Sequence, residues 1–231
     1  MCRHITWLGA ARTLSSLLLE PEFSLLRQSY APRRQRNSLF NGDGWGVGYY
    51  SPGRDTPARW RSNAPLWNDA SFASVAPTIE SSCFVAAVRA ASPGMPLDES
   101  ATAPFTDGRW LMAHNGVVDR DVVGYQSSAE SYCDSAQMAA LIFSVGPEKL
   151  GHIIADLGTR DESARLNVVV TDGRQVLATR WKDTLSVLNT EDGVVVASEP
   201  FDEDPRWIDI DDQSLVHVVG TTVTVTSIKP A

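Results

Sequence analysis

The sequence predicts one α+β domain spanning residues 1–231, built from two stacked, mostly antiparallel sheets with flanking helices. Three observations lead there. Apolar strand-like runs recur along the chain and crowd together after Gly158, where Asp-Gly turns join them into hairpins. Stretches with helical spacing of leucine, isoleucine and alanine interrupt the earlier strands. No Gly/Ser-rich or Pro-rich linker divides the chain, and its 231 residues suffice for a large core.

Taken in order, "ITWLG" (Ile5 to Gly9) reads as a short strand led in by Cys2. "RTLSSLLLE" places Leu14, Leu17 and Leu18 on one helical face. "NGDGWGVGYY" is a tight turn feeding a strand in which Trp45, Val47 and Tyr49 alternate. "DASFASVAPTIE" predicts a helix capped by Asp69. "SSCFVAAVRAAS" is an apolar strand that ends by presenting Arg89, and "GRWLMAHNGVV" a strand running into an Asn-Gly turn at Asn115–Gly116. "CDSAQMAALIFSV" predicts a helix with Ala139, Leu141, Ile142 and Val145 on its apolar face. Beyond Gly158, "ARLNVVVTDGRQVLATRW", "DTLSVLNTEDGVVVAS" and "SLVHVVGTTVTVTSI" predict an antiparallel meander. "FDEDPRWIDIDD" reads as a solvated acidic loop, with a face for a cationic substrate as the lesser alternative.

Composition removes several classes of function. A formal net charge of −8 argues against a nucleic-acid binder, which needs clustered Lys and Arg. The one basic cluster, Arg33, Arg34 and Arg36, reads as a solvated loop, less readily as a lid. No apolar stretch approaches the ~18–20 residues that span a bilayer, and "LSSLLLEPEF" is too brief for a secretory signal. Cys2, Cys83 and Cys133 are odd in number and without CxxC spacing, which disfavours a disulfide framework and a metal site alike. A cytoplasmic protein with no membrane or nucleic-acid partner is expected; the sequence leaves a homo-oligomer open.

The chain opens "MCRH", and Cys2 is small enough for Met1 to be removed by methionine aminopeptidase. Removal leaves a thiol and a free α-amine on one residue: the sulfur attacks and the amine serves as base. Their reference pKa values of ~8.5 and ~7.7–8.0 allow proton exchange near neutrality. An incidental cysteine on a frayed terminus is the competing reading.

Cys2, Arg89 in "VRAAS", His114–Asn115–Gly116 in "AHNG" and Asp134 in "CDS" occur in an order that resembles the class II glutamine amidotransferases. The catalytic domain of that family belongs to the N-terminal-nucleophile hydrolases, so the resemblance implies a four-layer αββα sandwich. "NGDGWGVGYY", "PLWNDASF" and "VVVASEPF" resemble its compact, stand-alone branch, extending the likeness from Cys2 to about Pro200. The resemblance implies Cys2 as nucleophile, with the Asn115 amide and Gly116 N–H as oxyanion donors. Arg89 would hold a substrate α-carboxylate, to which guanidinium offers a bidentate fork. Asp134 would hold the α-ammonium, or cap its helix. His114 belongs to the same pocket, more as a structural group than a catalytic one. Trp45 reads equally as a wall of the site or a core aromatic, while Trp60 and Trp67 read as packing residues. Two departures stand out: "TAPF" puts Ala103 where the relatives carry histidine, and "CDSA" replaces their Ser-Asp-Ser-Glu.

The implied chemistry is hydrolysis of a γ-glutamyl amide through a thioester, with no metal or cofactor. No synthase-like segment follows the glutaminase-like part, which favours hydrolysis of a small-molecule γ-glutamyl substrate as the purpose. A glutaminase subunit serving a separate synthase and a non-catalytic binding module are the alternatives.

Overall fold

The computed structural model describes residues 2–34 and 38–228. Met1 and Arg36, both named above, lie outside them. The first half of the chain forms β1 (Arg3–Thr13), α1 (Ser15–Leu18), α2 (Leu25–Gln28), β2 (Trp45–Tyr49), β3 (Ala58–Ser62), α3 (Ala70–Val75), β4 (Glu80–Val88), β5 (Phe105–Thr106) and β6 (Leu111–Val117). Then come α4 (Arg120–Val123), α5 (Asp134–Val145), α6 (Leu150–Arg160), β7 (Arg165–Thr171), β8 (Gln175–Arg180), β9 (Ser186–Thr190), β10 (Gly193–Ala197), β11 (Ile208–Asp209), β12 (Ser214–Val219) and β13 (Thr222–Ser227). One sheet has the order β11-β9-β10-β1-β4-β2-β3, the other β13-β12-β8-β7-β6-β5. Neighbouring strands are antiparallel throughout.

The two-residue period of each strand decides the layers. In β4, Cys83, Val85 and Ala87 face the second sheet, meeting Leu111, Ala113, Val169 and Ala178 in the central core. Phe84, Ala86 and Val88 face the other way, joining Ile5, Trp7, Trp45 and Val47 beneath Leu14, Leu17, Leu18, Leu25 and Phe72 of the first helical layer. The second sheet turns Met112, Leu166, Val168 and Val170 outward onto Met138, Ala139, Ile142, Ile153, Ile154 and Leu157 of α5 and α6. Strands buried on both faces thus read as continuous apolar runs, and the result is the expected αββα sandwich. Each fully buried Leu, Val or Phe contributes ~1.5–3 kcal/mol relative to exposure. Among the described residues no single helix is long and apolar enough to cross a membrane.

Several local expectations need correction. Asn115 and Gly116 do not form a turn; they continue β6, opposite Asn167 and Leu166 of β7. "RTLSSLLLE" supplies one helical turn only, because Arg12 and Thr13 stay in β1. On α5 the buried face carries Ala136, Met138, Ala139 and Ile142, whereas Val145 is 41% exposed at the helix end. The late strands are three hairpins but not one meander, since β9–β10 joins the first sheet while β7–β8 and β12–β13 join the second. The acidic "FDEDPRWIDIDD" is more than a solvated loop. Within it Ile208–Asp209 forms β11, Asp209 pairs with Arg34 at 2.6 Å and Glu203 with Arg33 at 2.7 Å. Trp45 proves to be a core aromatic, its ring centroid 4.3 Å from that of Phe72. Trp60 packs edge-on to Phe72, and Trp67, 42% exposed, edge-on to Tyr30.

Candidate active site

Register brings Cys2 and Arg89 together. Arg3 pairs with Val88 across β1 and β4, so the residue before Arg3 stands beside the residue after Val88. Both line a cavity of about 20 Å³, together with Ala87, Ala103, His114 and Ser135. That volume holds about one water molecule, so a larger ligand requires the lining to move.

Arg89 is held from two sides. Its backbone N–H donates to the Gly44 carbonyl at 2.8 Å, in a turn where Gly44 takes a φ of +123° that a side chain would strain. Its guanidinium donates to the Pro96 carbonyl at 2.8 Å and the Asp43 carbonyl at 3.4 Å. It is 7% exposed, and among the described residues no carboxylate lies within ion-pair distance of it. A buried guanidinium with carbonyl partners alone has no counter-ion of its own, which suits it to an anionic ligand.

The end of β6 supplies the next three residues. His114 is buried; its Nε2 lies 2.9 Å from the Arg165 carbonyl and its Nδ1 2.9 Å from the Ser135 hydroxyl. A carbonyl only accepts, so Nε2 carries the proton and Nδ1 accepts from Ser135. Burial also lowers the His114 pKa, against the pull of Asp134. The ring therefore braces β6, β7 and α5. Asn115 is fully buried, its Nδ2 3.5 Å from Ser198 Oγ and its Oδ1 without a partner. Gly116 has no room for a side chain: a Cβ would fall on the Arg165 carbonyl and 2.6 Å from His114 Nε2.

Asp134 opens α5, but Cys133 is the N-cap position, so the capping role considered for Asp134 does not hold. Its Oδ2 accepts the Val118 N–H at 3.2 Å and its Oδ1 lies 3.5 Å from the Ser135 hydroxyl. The structure thus places Cys2, Arg89 and His114 on one cavity wall. Asn115, Gly116 and Asp134 are not among its lining; Asn115 follows His114 and Asp134 precedes Ser135 in the chain. Of the departures, Ala103 lines the cavity, while Cys133 turns its sulfur 3.8 Å from the Ala101 carbonyl.

Sequence reasoning assigned nothing to Ser135, Ser198 or Glu199. Ser198 receives the His4 N–H on its Oγ at 3.1 Å and donates its own N–H to the His4 carbonyl at 3.0 Å. Glu199, 1% exposed, accepts the backbone N–H groups of Arg33 and Arg34 at 3.1 and 2.7 Å, and lies 3.9 Å from the Arg3 guanidinium. The supposedly free basic loop is thereby anchored beside β1. "VVVASEPF" was the available signal.

His4 gives a measurable consequence. Burial above all, with His114 and the Arg3 guanidinium nearby, pulls its pKa from 6.5 down to about 3. Between those values the unfolded chain binds a proton that the folded chain refuses, so stability falls as pH drops below about 6.5. From pH 6.5 to 4.5 this amounts to at most ~2.7 kcal/mol, or roughly 5–10 °C in Tm for a chain of this size. Thermal unfolding at both pH values should show that loss, reduced by a comparable amount in His4→Gln. An equal loss in the variant would refute the assignment.

The chain matches known proteins over nearly its whole length. A model of the family described as Glutamine amidotransferases class-II matches residues 15–191. The chain is 56% identical over 226 residues to the gamma-glutamyl-hercynylcysteine sulfoxide hydrolase of Mycolicibacterium smegmatis, covering 98% of this chain and 99% of that one. It is 54% identical over 231 residues to the protein of the same name from Mycobacterium tuberculosis, covering 100% and 98%. Among solved structures, a glutamine aminotransferase class-II domain protein from Silicibacter pomeroyi superposes with a TM-score of 0.71 at 19% identity, over 99% of this chain and 100% of that chain. Glutamine phosphoribosylpyrophosphate amidotransferase from B. subtilis gives 0.70 at 12% identity, over 99% and 49%, which speaks for a shared fold. By the family match and these full-length relatives, the chain belongs to the class II glutamine amidotransferases.

Proposed function

We propose that the protein is an amidohydrolase that cleaves a γ-glutamyl amide through Cys2, with γ-glutamyl-hercynylcysteine sulfoxide as its substrate. The observation that carries this reading is the shared cavity of Cys2 and Arg89, where a sulfur nucleophile stands beside a buried cation with no carboxylate of its own. The two relatives of more than 50% identity, with names that state this substrate, support the specific choice. The chain acts as one domain, in the cytoplasm, where its free cysteines stay reduced.

With Met1 removed, the α-amine of Cys2 takes the thiol proton and the thiolate attacks the γ-carbonyl. Arg89 holds the α-carboxylate and Asp134 the α-ammonium of the glutamyl head. Nδ2 of Asn115 and the N–H of Gly116 donate to the developing oxyanion, a kind of contact worth ~3–4 kcal/mol per donor in acyl transfer. Collapse expels the amine product, which takes the proton from the α-ammonium of Cys2. Water then attacks the thioester, releasing glutamate and the thiol. The γ-glutamyl group exceeds the present cavity, so binding widens it, with the Pro96 carbonyl yielding its place on Arg89 to the substrate.

Purified protein should release glutamate from γ-glutamyl-hercynylcysteine sulfoxide with a kcat/KM well above that for glutamine. Turnover of glutamine alone would sink the assignment and favour a glutaminase subunit.

A further inference from the structure

We infer that Ser198 is a positioning residue for the reaction: its hydroxyl orients the Asn115 amide and ties that donor to the strand carrying the nucleophile. The inference rests on the reading of Asn115 as an oxyanion donor.

Cys2 leads into β1 of the first sheet, whereas Asn115 lies in β6 of the second. Their relative placement therefore depends on contacts between sheets, not on the ladder within either. Ser198 makes such a contact. It is fully buried, and it extends the β1–β10 pairing one step past Ile5 and Ala197 by exchanging hydrogen bonds with His4. The carbonyl of Ser198 accepts the Thr184 hydroxyl at 2.8 Å, and the Thr184 carbonyl accepts Nδ2 of Asn167, the residue opposite Asn115. Ser198 is thus fixed from both sheets, two residues from Cys2 through His4.

Its hydroxyl faces Asn115. With Nδ2 turned toward Ser198, the contact is long at 3.5 Å and Oδ1 is buried without a donor. The hydroxyl would then accept two N–H groups while Oδ1 of the same amide goes without a donor. Rotating the amide by half a turn removes the conflict. Ser198 accepts from His4 N–H and donates to Oδ1, which fits the one donor and two lone pairs of a hydroxyl. Nδ2 is then released for the oxyanion. Oxygen and nitrogen of an amide are assigned by such hydrogen-bond accounting. Preorganisation of a donor in this way raises the chemical rate without strengthening ground-state binding.

A double-mutant cycle tests this. Ser198→Ala should lower kcat about 10–100-fold with KM within about threefold, and should weaken a glutamate γ-aldehyde inhibitor, which forms an oxyanion, while leaving glutamate inhibition unchanged. In the Asn115→Ala background the same change should cost less than about threefold, because residues acting as a unit are not additive. Ser198→Cys fills the site with a slightly larger side chain and a weaker donor and should lower kcat in the same direction; it carries the cycle if the alanine variant does not fold. Multiplying effects in the double variant, or an unchanged kcat in Ser198→Ala or Ser198→Cys, would overturn the inference. An unchanged kcat in Asn115→Ala would instead overturn the oxyanion reading beneath it.

Discussion

Cys2→Ala should reduce glutamate release from the γ-glutamyl substrate by ~10⁴–10⁶-fold, the scale seen when a nucleophile is deleted from a covalent catalyst. The fold should hardly notice. Cys2 precedes β1, is partly exposed and contributes to none of the hydrophobic layers, so its thermal midpoint should stay within about 2–4 °C of the parent. Alanine is also small enough for Met1 to be cleaved, so the variant keeps the free amine and loses only the sulfur. No other cysteine can substitute. Cys83 is fully buried, which pushes its thiol up to about 12, and burial also raises that of Cys133. Diazo-oxo-norleucine should accordingly add once to the parent, at Cys2, and not to the variant. Intact-mass measurement reads both the adduct and the absence of Met1. Full activity with methionine attached, or substantial turnover by Cys2→Ala, would eliminate the mechanism.

The parts of this site that could be read in advance are those determined by local pattern. Arg89 stands at the end of a run of small and apolar residues buried on both faces, and such a run has few alternatives to a central strand. Asp69 caps α3 as expected, accepting the Phe72 N–H at 2.9 Å. The Asp-Gly pairs at Gly108 and Gly173 mark hairpins because the glycine there accepts a backbone few other residues tolerate, whereas Asp43–Gly44 leads into β2 beside Arg89. α6 carries the same kind of signal, with Leu150, Ile153, Ile154 and Leu157 at helical spacing.

What escaped was set by contacts between distant segments. Nothing in the hairpin "DTLSVLNTEDGVVVAS" says that it joins β1 while its neighbours join the sheet of β6, since strands of either sheet carry the same two-sided apolar code. Arg33 and Arg34 are exposed, as the solvated reading had it, but the partners that anchor them lie more than a hundred residues away, at Glu199, Glu203 and Asp209. Ser198 had no chemical signature at all: its importance arises from facing His4 and Asn115 at once. Asn115–Gly116 shows the opposite failure, where a strong local turn signal was overruled by the pairing of β6 with β7.

That last case bears on Gly116→Ala, which should lower kcat by ~10²–10³-fold and destabilise the fold by roughly 1–3 kcal/mol. At a φ of +159° the backbone is close to extended, so conformational strain does not explain the glycine. Close approach does. A methyl group here would occupy the place of the Arg165 carbonyl, which accepts from His114 Nε2 at 2.9 Å, and would press on that nitrogen as well. β6 would have to part from β7, carrying Asn115 and the Gly116 N–H away from Cys2, and the His114–Ser135 contact beside the cavity would slacken with it. Gly108→Ala is the matched control. At that turn a Cβ meets open space, and the φ of +95° makes the cost purely conformational. It should lower the thermal midpoint while kcat stays within about twofold of the parent, because the turn lies at the end of β6 away from the site. Thermal unfolding and initial rates on the two variants separate the cases: a loss of kcat confined to Gly116→Ala identifies the strand contact as what aims the donors, whereas parallel losses in both would assign the glycine to stability alone.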